Sequence, residues 1–434
     1  MIKKIIVWVL QLEARAVLRK YKPEIIAITG SVGKTSAKEA IATILADRFF
    51  VRKSAKSYNS ELGVPLTILG LTTGWDSPTR WLQNLIEGAK LVFKKQPYPE
   101  LLILEIGADR PGDISAFVRW VRPHVVVVTA IGEIPVHVEF FAGREELARE
   151  KAALLRPLMP KDVAILNADD KVVADMAHET RARHLLYGKE EHAAVRGTEY
   201  MLTYRTDPDG IRRPLGVAFK ADYKGSTVPI KIDGVFGRPI FYAALSAIAV
   251  AAAKGMNLVD AAAALSRFHG VPGRLRLLEG IKGSLLIDDS YNASPTALHA
   301  ALDLLHELPA RRRFCILGDM LEIGRLTIQA HMEAGKRLAE FADVLITVGS
   351  RAKFIAEGAR ERGMDNSRIF SYVNREAADE DIDAIQERLG AGDVILVKGS
   401  QGMRLEYIVE ALMAHPEQAA ELLVRQEKEW QIRR

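Results

Sequence analysis

Residues 25–36 read Ile-Ile-Ala-Ile-Thr-Gly-Ser-Val-Gly-Lys-Thr-Ser, and no other stretch constrains the fold as strongly. The apolar run reads as a buried strand. It breaks at a glycine-rich turn, and the spacing of Ala37, Ala40, Ile41, Ile44 and Leu45 behind it reads as a helix. Gly30 and Gly33 let main-chain N–H groups of the turn approach an anion, and a helix N-terminus adds partial positive charge. Lys34 suits charge neutralisation on a β- or γ-phosphate, and Thr35 offers a hydroxyl to Mg²⁺. The general phosphate-loop pattern fits incompletely, because its first glycine falls on Ile28. A plain strand–turn–helix can share so short a string, but the flanking strand and helix favour nucleotide binding.

A chain of 434 residues is too long for one hydrophobic core and implies two or three domains. A net charge of +5 is compatible with anionic small molecules and gives no argument for nucleic acid. The single cysteine, Cys315, excludes an internal disulfide or a cysteine-based zinc site, and its apolar neighbours mark it as a core residue. These features lead us to expect a cytoplasmic monomer. Residues 1–22 begin with an apolar run, but charged residues follow and no cleavage site does, so an amphipathic helix packed on the nucleotide domain is expected. Loose contact with a membrane surface through Trp8 and the flanking lysines is the alternative, and residues 81–95 have similar character.

Continuous apolar strands at 25–29, 101–105, 125–129 and 163–167 alternate with helical patterns, which implies a parallel sheet covered on both faces. Residues 198–236 alternate around the turn at 207–210 and suit a small antiparallel insertion. A second α/β pattern follows Gly270-Val271-Pro272-Gly273-Arg274, with strands at 285–288, 314–318, 344–348 and 394–397. Helices are expected at about 295–307, 328–341, 351–362, 375–389 and 403–414. The expected architecture is therefore α/β: a phosphate-loop domain over 23–269 with the insertion, then a Rossmann-like domain over 270–434.

Ligands in open α/β sheets bind beyond the carboxyl ends of strands. Glu105 ends one such strand and can hold Mg²⁺, although a carboxylate there equally suits a helix cap. His137 and Lys151 carry no local sign beyond a structural histidine and a helix-surface lysine. Asp288-Asp289-Ser290-Tyr291-Asn292 suits a ribose or metal contact, and equally a capped helix.

Together these segments resemble the Mur ligase family of ATP-dependent amide-forming enzymes in peptidoglycan synthesis. The similarity runs from about residue 23 onward and rests on ITGSVGKTS (28–36), YNSELGVPLT (58–67), LEIGADRPGDI (104–114), HVEFFAGREELAREKAALL (137–155), ILNADD (165–170), GVPGRLR (270–276), DDSYNASPTAL (288–298), LGDMLEIG (317–324) and VKGSQGMRLEYIV (397–409). Within the family it is most similar to the branch that joins D-Ala-D-Ala to a UDP-MurNAc-tripeptide through an acyl phosphate. The resemblance implies that residues 30–36 (Gly30, Ser31, Val32, Gly33, Lys34, Thr35 and Ser36) hold the phosphates. Thr35 and Glu105 would serve one Mg²⁺ and His137 a second, while Lys151 falls on a lysine that members carbamylate. Arg274 would reach the γ-phosphate, Asp289 the ribose with Tyr291 and Asn292 beside it, and Asn59 the muramoyl peptide. Asp319, Lys398 and Ser400 would neighbour the dipeptide.

Two departures accompany the resemblance. The branch carries an N-terminal uridine-binding domain, whereas here the loop begins near residue 28. The expectation is that the UDP-linked substrate is held by the remaining domains, or that the acceptor differs: a lipid-linked precursor, a folylpolyglutamate-like substrate or an amino-acid polymer. The family's adenine-contacting His-Asn-x-x-Asn segment aligns with Pro239-Ile240-Phe241-Tyr242-Ala243, which has neither the histidine nor the asparagines. A nucleotide-binding scaffold without catalysis is the contrasting reading.

Overall fold

The computed structural model describes residues 2–55, 58–134, 138–206 and 212–431. Fifteen strands among them form two sheets. The first contains β1 (Glu24–Thr29), β2 (Val51–Lys53), β3 (Leu101–Glu105), β4 (Val125–Val128), β5 (Val163–Asn167), β6 (Arg183–Gly188), β7 (Val195–Thr206), β8 (Arg212–Tyr223) and β9 (Ser226–Asp233), in the order β2-β3-β1-β4-β5-β6-β7-β8-β9. All neighbours from β2 to β7 pair in parallel, and β7, β8 and β9 continue the same sheet antiparallel. The expected antiparallel insertion thus extends the main sheet; the turn at 207–210 lies outside the described residues.

The parallel strands are buried on both faces, which accounts for their unbroken apolar sequence. Ile26 and Ile28 of β1 pack with the helices Lys34–Leu45 and Arg238–Ala253. Ile25 and Ala27 face the other way, towards Leu10, Ala14 and Val17 of the helix Ile2–Tyr21 and the helix Gly63–Leu69. This period of two places each helix on its layer. The amino-terminal helix therefore packs on the sheet as its amphipathic pattern leads one to expect. No helix among the described residues is long and apolar enough to cross a membrane.

The second sheet contains β10 (Arg276–Glu279), β11 (Leu285–Asp289), β12 (Arg313–Gly318), β13 (Val344–Val348), β14 (Ile369–Tyr372) and β15 (Val394–Lys398), in the order β10-β11-β15-β12-β13-β14. Only β10 runs antiparallel to its neighbour. β2, β10 and β14 are short edge strands and β6 begins with exposed polar residues, so none has an apolar run long enough to read in advance. The single helix expected at 375–389 is two, Arg375–Glu380 and Ile382–Glu387. Cys315 is buried in the core of this sheet.

Candidate active site

The glycine-rich turn leaves β1 beside β4. Ser31 and Val32 donate their N–H groups to the Ala130 carbonyl, at 2.6 and 3.3 Å. Gly30 and Gly33 have φ of +140° and +85°, and a Cβ at Gly30 would lie 2.0 Å from Thr129 Oγ1. Only glycine lets the turn close against β4 there. Gly33 then caps the helix Lys34–Leu45 without a side-chain bond, so the first N–H groups of that helix have no capping side chain.

Several charged groups converge on this turn. Lys34 Nζ donates to the Gly30 carbonyl at 2.8 Å. Thr35 Oγ1 donates to Glu105 Oε1 at 3.1 Å, and Arg274 Nη2 donates to Thr35 Oγ1 at 3.0 Å, bridging from the chain before β10. Arg274 also lies over the Tyr291 ring at 4.3 Å. One turn further along the helix, fully buried Lys38 stands 3.4 Å from Glu105 Oε2. Glu105 Oε2, Ser31 Oγ and Arg274 Nε are buried without a hydrogen-bond partner. Two of these could bond an anion and the third a cation.

Lys151 lies near the end of the helix Arg144–Ala152 and is 2% exposed. Glu150, beside it, accepts the Ile114 and Ser115 N–H groups at 2.7 and 3.0 Å and ties this helix to the helix Asp113–Phe117. Burial, then the Lys34 charge, holds the Lys151 ammonium well below the usual lysine range, with Asp109 and Glu150 opposing. Burial also lowers Lys34, abetted by Arg274 and opposed by Glu105 and Asp109. Two lysines in one dry site repel each other, and the more isolated one favours its neutral amine.

A cleft of about 990 Å³ opens over this cluster. Ser31, Val32, Gly33, Lys34, Thr35, Asn59 and Glu105 line it from the first sheet, and Arg274, Tyr291, Asn292 and Ser400 from the second. A smaller cavity of about 630 Å³ shares Val32 and Gly33 with it. Asn167, Tyr187, Pro239, Tyr242 and Ala243 line this one, and the Tyr242 hydroxyl donates to Asp169 Oδ2 at 2.7 Å. The segment in which the adenine-contacting residues are absent therefore still borders a cavity beside the phosphate turn.

Other expected site residues are placed differently. Asp289 pairs with Lys398 at 2.6 Å and accepts the Leu275 N–H at 3.3 Å, and Lys398 also donates to the Asn292 carbonyl at 2.9 Å. Asp319 Oδ1 accepts the Arg351 and Ala352 N–H groups at 2.9 and 2.7 Å. None of these three lines either cavity. Ser36 is buried in the helix behind the turn, and His137 lies outside the described residues. Among the described residues, no group of three or more His, Cys, Asp or Glu side chains is arranged to hold a metal. A site sharing one carboxylate and one hydroxyl with phosphate oxygens and water is compatible with that, and is what Mg²⁺ commonly uses.

Lys38, Arg404 and Arg425 join the cluster only in the structure. Lys38 follows Lys34 by one helical turn, a spacing that could have flagged it. Arg404 and Arg425 line the larger cleft and clamp Glu406 between them at 2.6 and 2.9 Å. They are far apart in sequence, and no local pattern joins them.

Residues 28–251 match the Mur ligase middle domain, and residues 273–401 the Mur ligase glutamate ligase domain. UDP-N-acetylmuramoyl-tripeptide–D-alanyl-D-alanine ligase of Bacillus subtilis is 30% identical over 94% of this chain and 79% of its own. MurF from Acinetobacter baumannii is similar in structure, with a TM-score of 0.75 and 26% identity, over 92% of this chain and 79% of its own. MurF from Thermotoga maritima in complex with ADP shares the fold, with a TM-score of 0.74 and 24% identity over 99% and 85% of the two chains.

Proposed function

Because the chain belongs to the Mur ligase family, we propose that it is an ATP-dependent, ADP-forming amide ligase of peptidoglycan precursor synthesis, joining D-alanyl-D-alanine to a UDP-N-acetylmuramoyl-tripeptide. The observation that carries this reading is the convergence of Lys34, Thr35, Glu105 and Arg274 on one cleft lined from both sheets. Such a cleft gives room for a triphosphate and two further substrates to meet.

In this reading the triphosphate lies across Val32 and Gly33, with its base and sugar in the smaller cavity and its γ-phosphate in the larger. Tyr187, Tyr242 and Pro239 offer flat apolar surface to the base, and Asn167 an amide. The unpartnered Ser31 Oγ and Arg274 Nε suit phosphate oxygens. The tripeptide's terminal carboxylate attacks the γ-phosphorus, the bond to ADP breaks, and an acyl phosphate forms. The amine of the dipeptide then attacks the acyl carbon, loses a proton, and inorganic phosphate leaves. Lys34 and Arg274 stabilise the negative charge that gathers in both steps.

Thr35 Oγ1 and Glu105, whose Oε2 has no hydrogen-bond partner, fit a hard oxygen-seeking cation and would hold Mg²⁺. A bound Mg²⁺ would neutralise phosphate charge, and His137 is proposed for a second ion. Lys151 is proposed to be carbamylated. Its lowered basicity leaves a neutral amine whose nitrogen bonds the carbon of CO₂ and loses a proton, turning a buried cation into a carbamate facing Lys34. Asn59 is proposed to face the muramoyl peptide and Ser400 the dipeptide, since both line the larger cleft.

The test is phosphate release from ATP and Mg²⁺ with the UDP-linked tripeptide and D-Ala-D-Ala supplied singly and together. Release that requires both, with the joined peptide detected by mass spectrometry, is the expected result. A folded, ATP-binding protein that releases none would give the cleft to another carboxylate acceptor.

A further inference from the structure

The helix Ile2–Tyr21 packs beside the helix Pro78–Phe93 on the outer surface of the first sheet's helical layer. The two run in the same direction. Glu13 lies against Gly88, while Lys20 Nζ donates to the carbonyls of Leu91, Val92 and Lys94 at 3.0, 2.8 and 2.7 Å. The Tyr21 hydroxyl donates to the same end of the second helix. This joint fixes how the helices are turned, and hence which side chains they present outward.

Each helix has one buried face and one exposed apolar stripe. Leu10, Ala14 and Val17 of the first are buried, and so are Asn84, Gly88 and Leu91 of the second. On the opposite sides stand Ile5, Trp8 and Leu12, and Leu82, Ile86 and Phe93, all exposed. Trp8 is 61% exposed and Phe93 85%. At about 100° per residue, each outward stripe spans no more than roughly 60° of arc. Both point away from the same core, so they form one apolar face. A face of large apolar side chains on a folded chain marks an interaction surface.

The charge around it is one-sided. Residues 2–22 and 78–95 hold ten Lys and Arg and only two acidic residues, Glu13 and Glu87. Glu13 is partly buried between the helices, and Glu87 pairs with Lys90. Lys4, Arg19, Lys22, Lys94 and Lys95 are exposed on or beside the helix pair. Trp and Phe flanked by lysines suit the boundary between acyl chains and anionic headgroups. A second copy of this chain would bring the same positive rim against itself.

We propose that this helix pair docks the protein on an anionic phospholipid surface, lying in the plane of the interface. The apolar stripes enter the headgroup boundary and the lysines contact lipid phosphate. The docking face contains none of the residues assigned to ligation, so this inference stands apart from the proposed reaction.

The test is co-sedimentation of the full chain with phosphatidylcholine vesicles, with and without about 30 mol % phosphatidylglycerol, at about 0.1 M salt. The protein is expected to pellet with the anionic vesicles and to lose apparent affinity at least about tenfold when salt rises to about 0.5 M. The double variant Trp8→Ser/Phe93→Ser should bind at least about tenfold more weakly, and Leu82→Gln/Ile86→Gln should do the same from the other helix. Thermal melts and ATP turnover of each variant check that the fold is intact. A wild-type chain that stays in the supernatant with both vesicles overturns the proposal. So does a vesicle-free dimer that either double variant disperses, since the face then belongs to a second copy.

Discussion

Lys151, near the end of a helix, and Lys398, at the end of β15, are buried equally, at 2% exposure. Their surroundings differ. Lys398 meets Asp289 at 2.6 Å and the Asn292 carbonyl at 2.9 Å, so its ammonium is matched by an anion and an acceptor. Lys151 has no such pair among the described residues; it faces a second cation, Lys34, and its basicity falls. A matched buried charge holds a turn in place, whereas an unmatched one is a cost the fold bears for some other purpose. A similar contrast separates the residues over the cleft from those behind it. Ser31 Oγ and Arg274 Nε have no hydrogen-bond partner and Glu105 Oε2 has only the Lys38 ammonium at 3.4 Å, while Asp289 and Asp319 are occupied by the chain itself.

Losses at the cleft should therefore be catalytic, and losses at the Asp289–Lys398 pair structural. Lys34→Ala should have the largest effect, lowering ATP turnover by at least about 10³-fold with little change in thermal midpoint. An active, well-folded variant would mean the phosphate site lies elsewhere. Lys151→Ala should reduce turnover nearly as far, and added bicarbonate or short carboxylic acids should restore part of it; unchanged activity would remove the residue from the chemistry. For Arg274→Ala the expected fall in turnover is about 10²-fold, only weakly repaired by lysine, because guanidinium geometry is lost. Asp289→Asn is expected to act mainly on stability, by about 3 kcal/mol in urea unfolding, since it strands Lys398 as an unpaired buried charge. A variant that keeps full stability but loses nucleotide affinity would instead support a ribose contact.

The smallest effect concerns Glu13. Burial raises its carboxyl from 4.5 to about 7, so the folded chain holds a proton that the unfolded chain has released over that interval. Stability should therefore fall as pH rises through it, and Glu13→Gln should flatten the decline. Urea midpoints at about pH 5 and about pH 8 measure this. A steeper decline in the variant would contradict the assignment.

The parallel strands were legible because burial on both faces demands apolar runs, and the phosphate turn because glycines at positive φ cannot be replaced. β2, β10 and β14 were not, since short edge strands need little apolar sequence. Lys34, Thr35, Glu105 and Arg274 could be named from spaced motifs, and the structure brings them together. The pairing of Asp289 with Lys398 could not be read, because it spans a parallel register between β11 and β15 that no local pattern encodes. Nor could the smaller cavity, which depends on Tyr187 from β6 and Tyr242 from a helix more than fifty residues later.

The contrast between the two lysines is tested most directly by carbon-13 NMR of the protein in ¹³C-bicarbonate. One carbamate resonance is expected, abolished by Lys151→Ala and left in place by Lys398→Met. A folded, active wild-type protein with no carbamate signal, or a signal that survives Lys151→Ala, would contradict it.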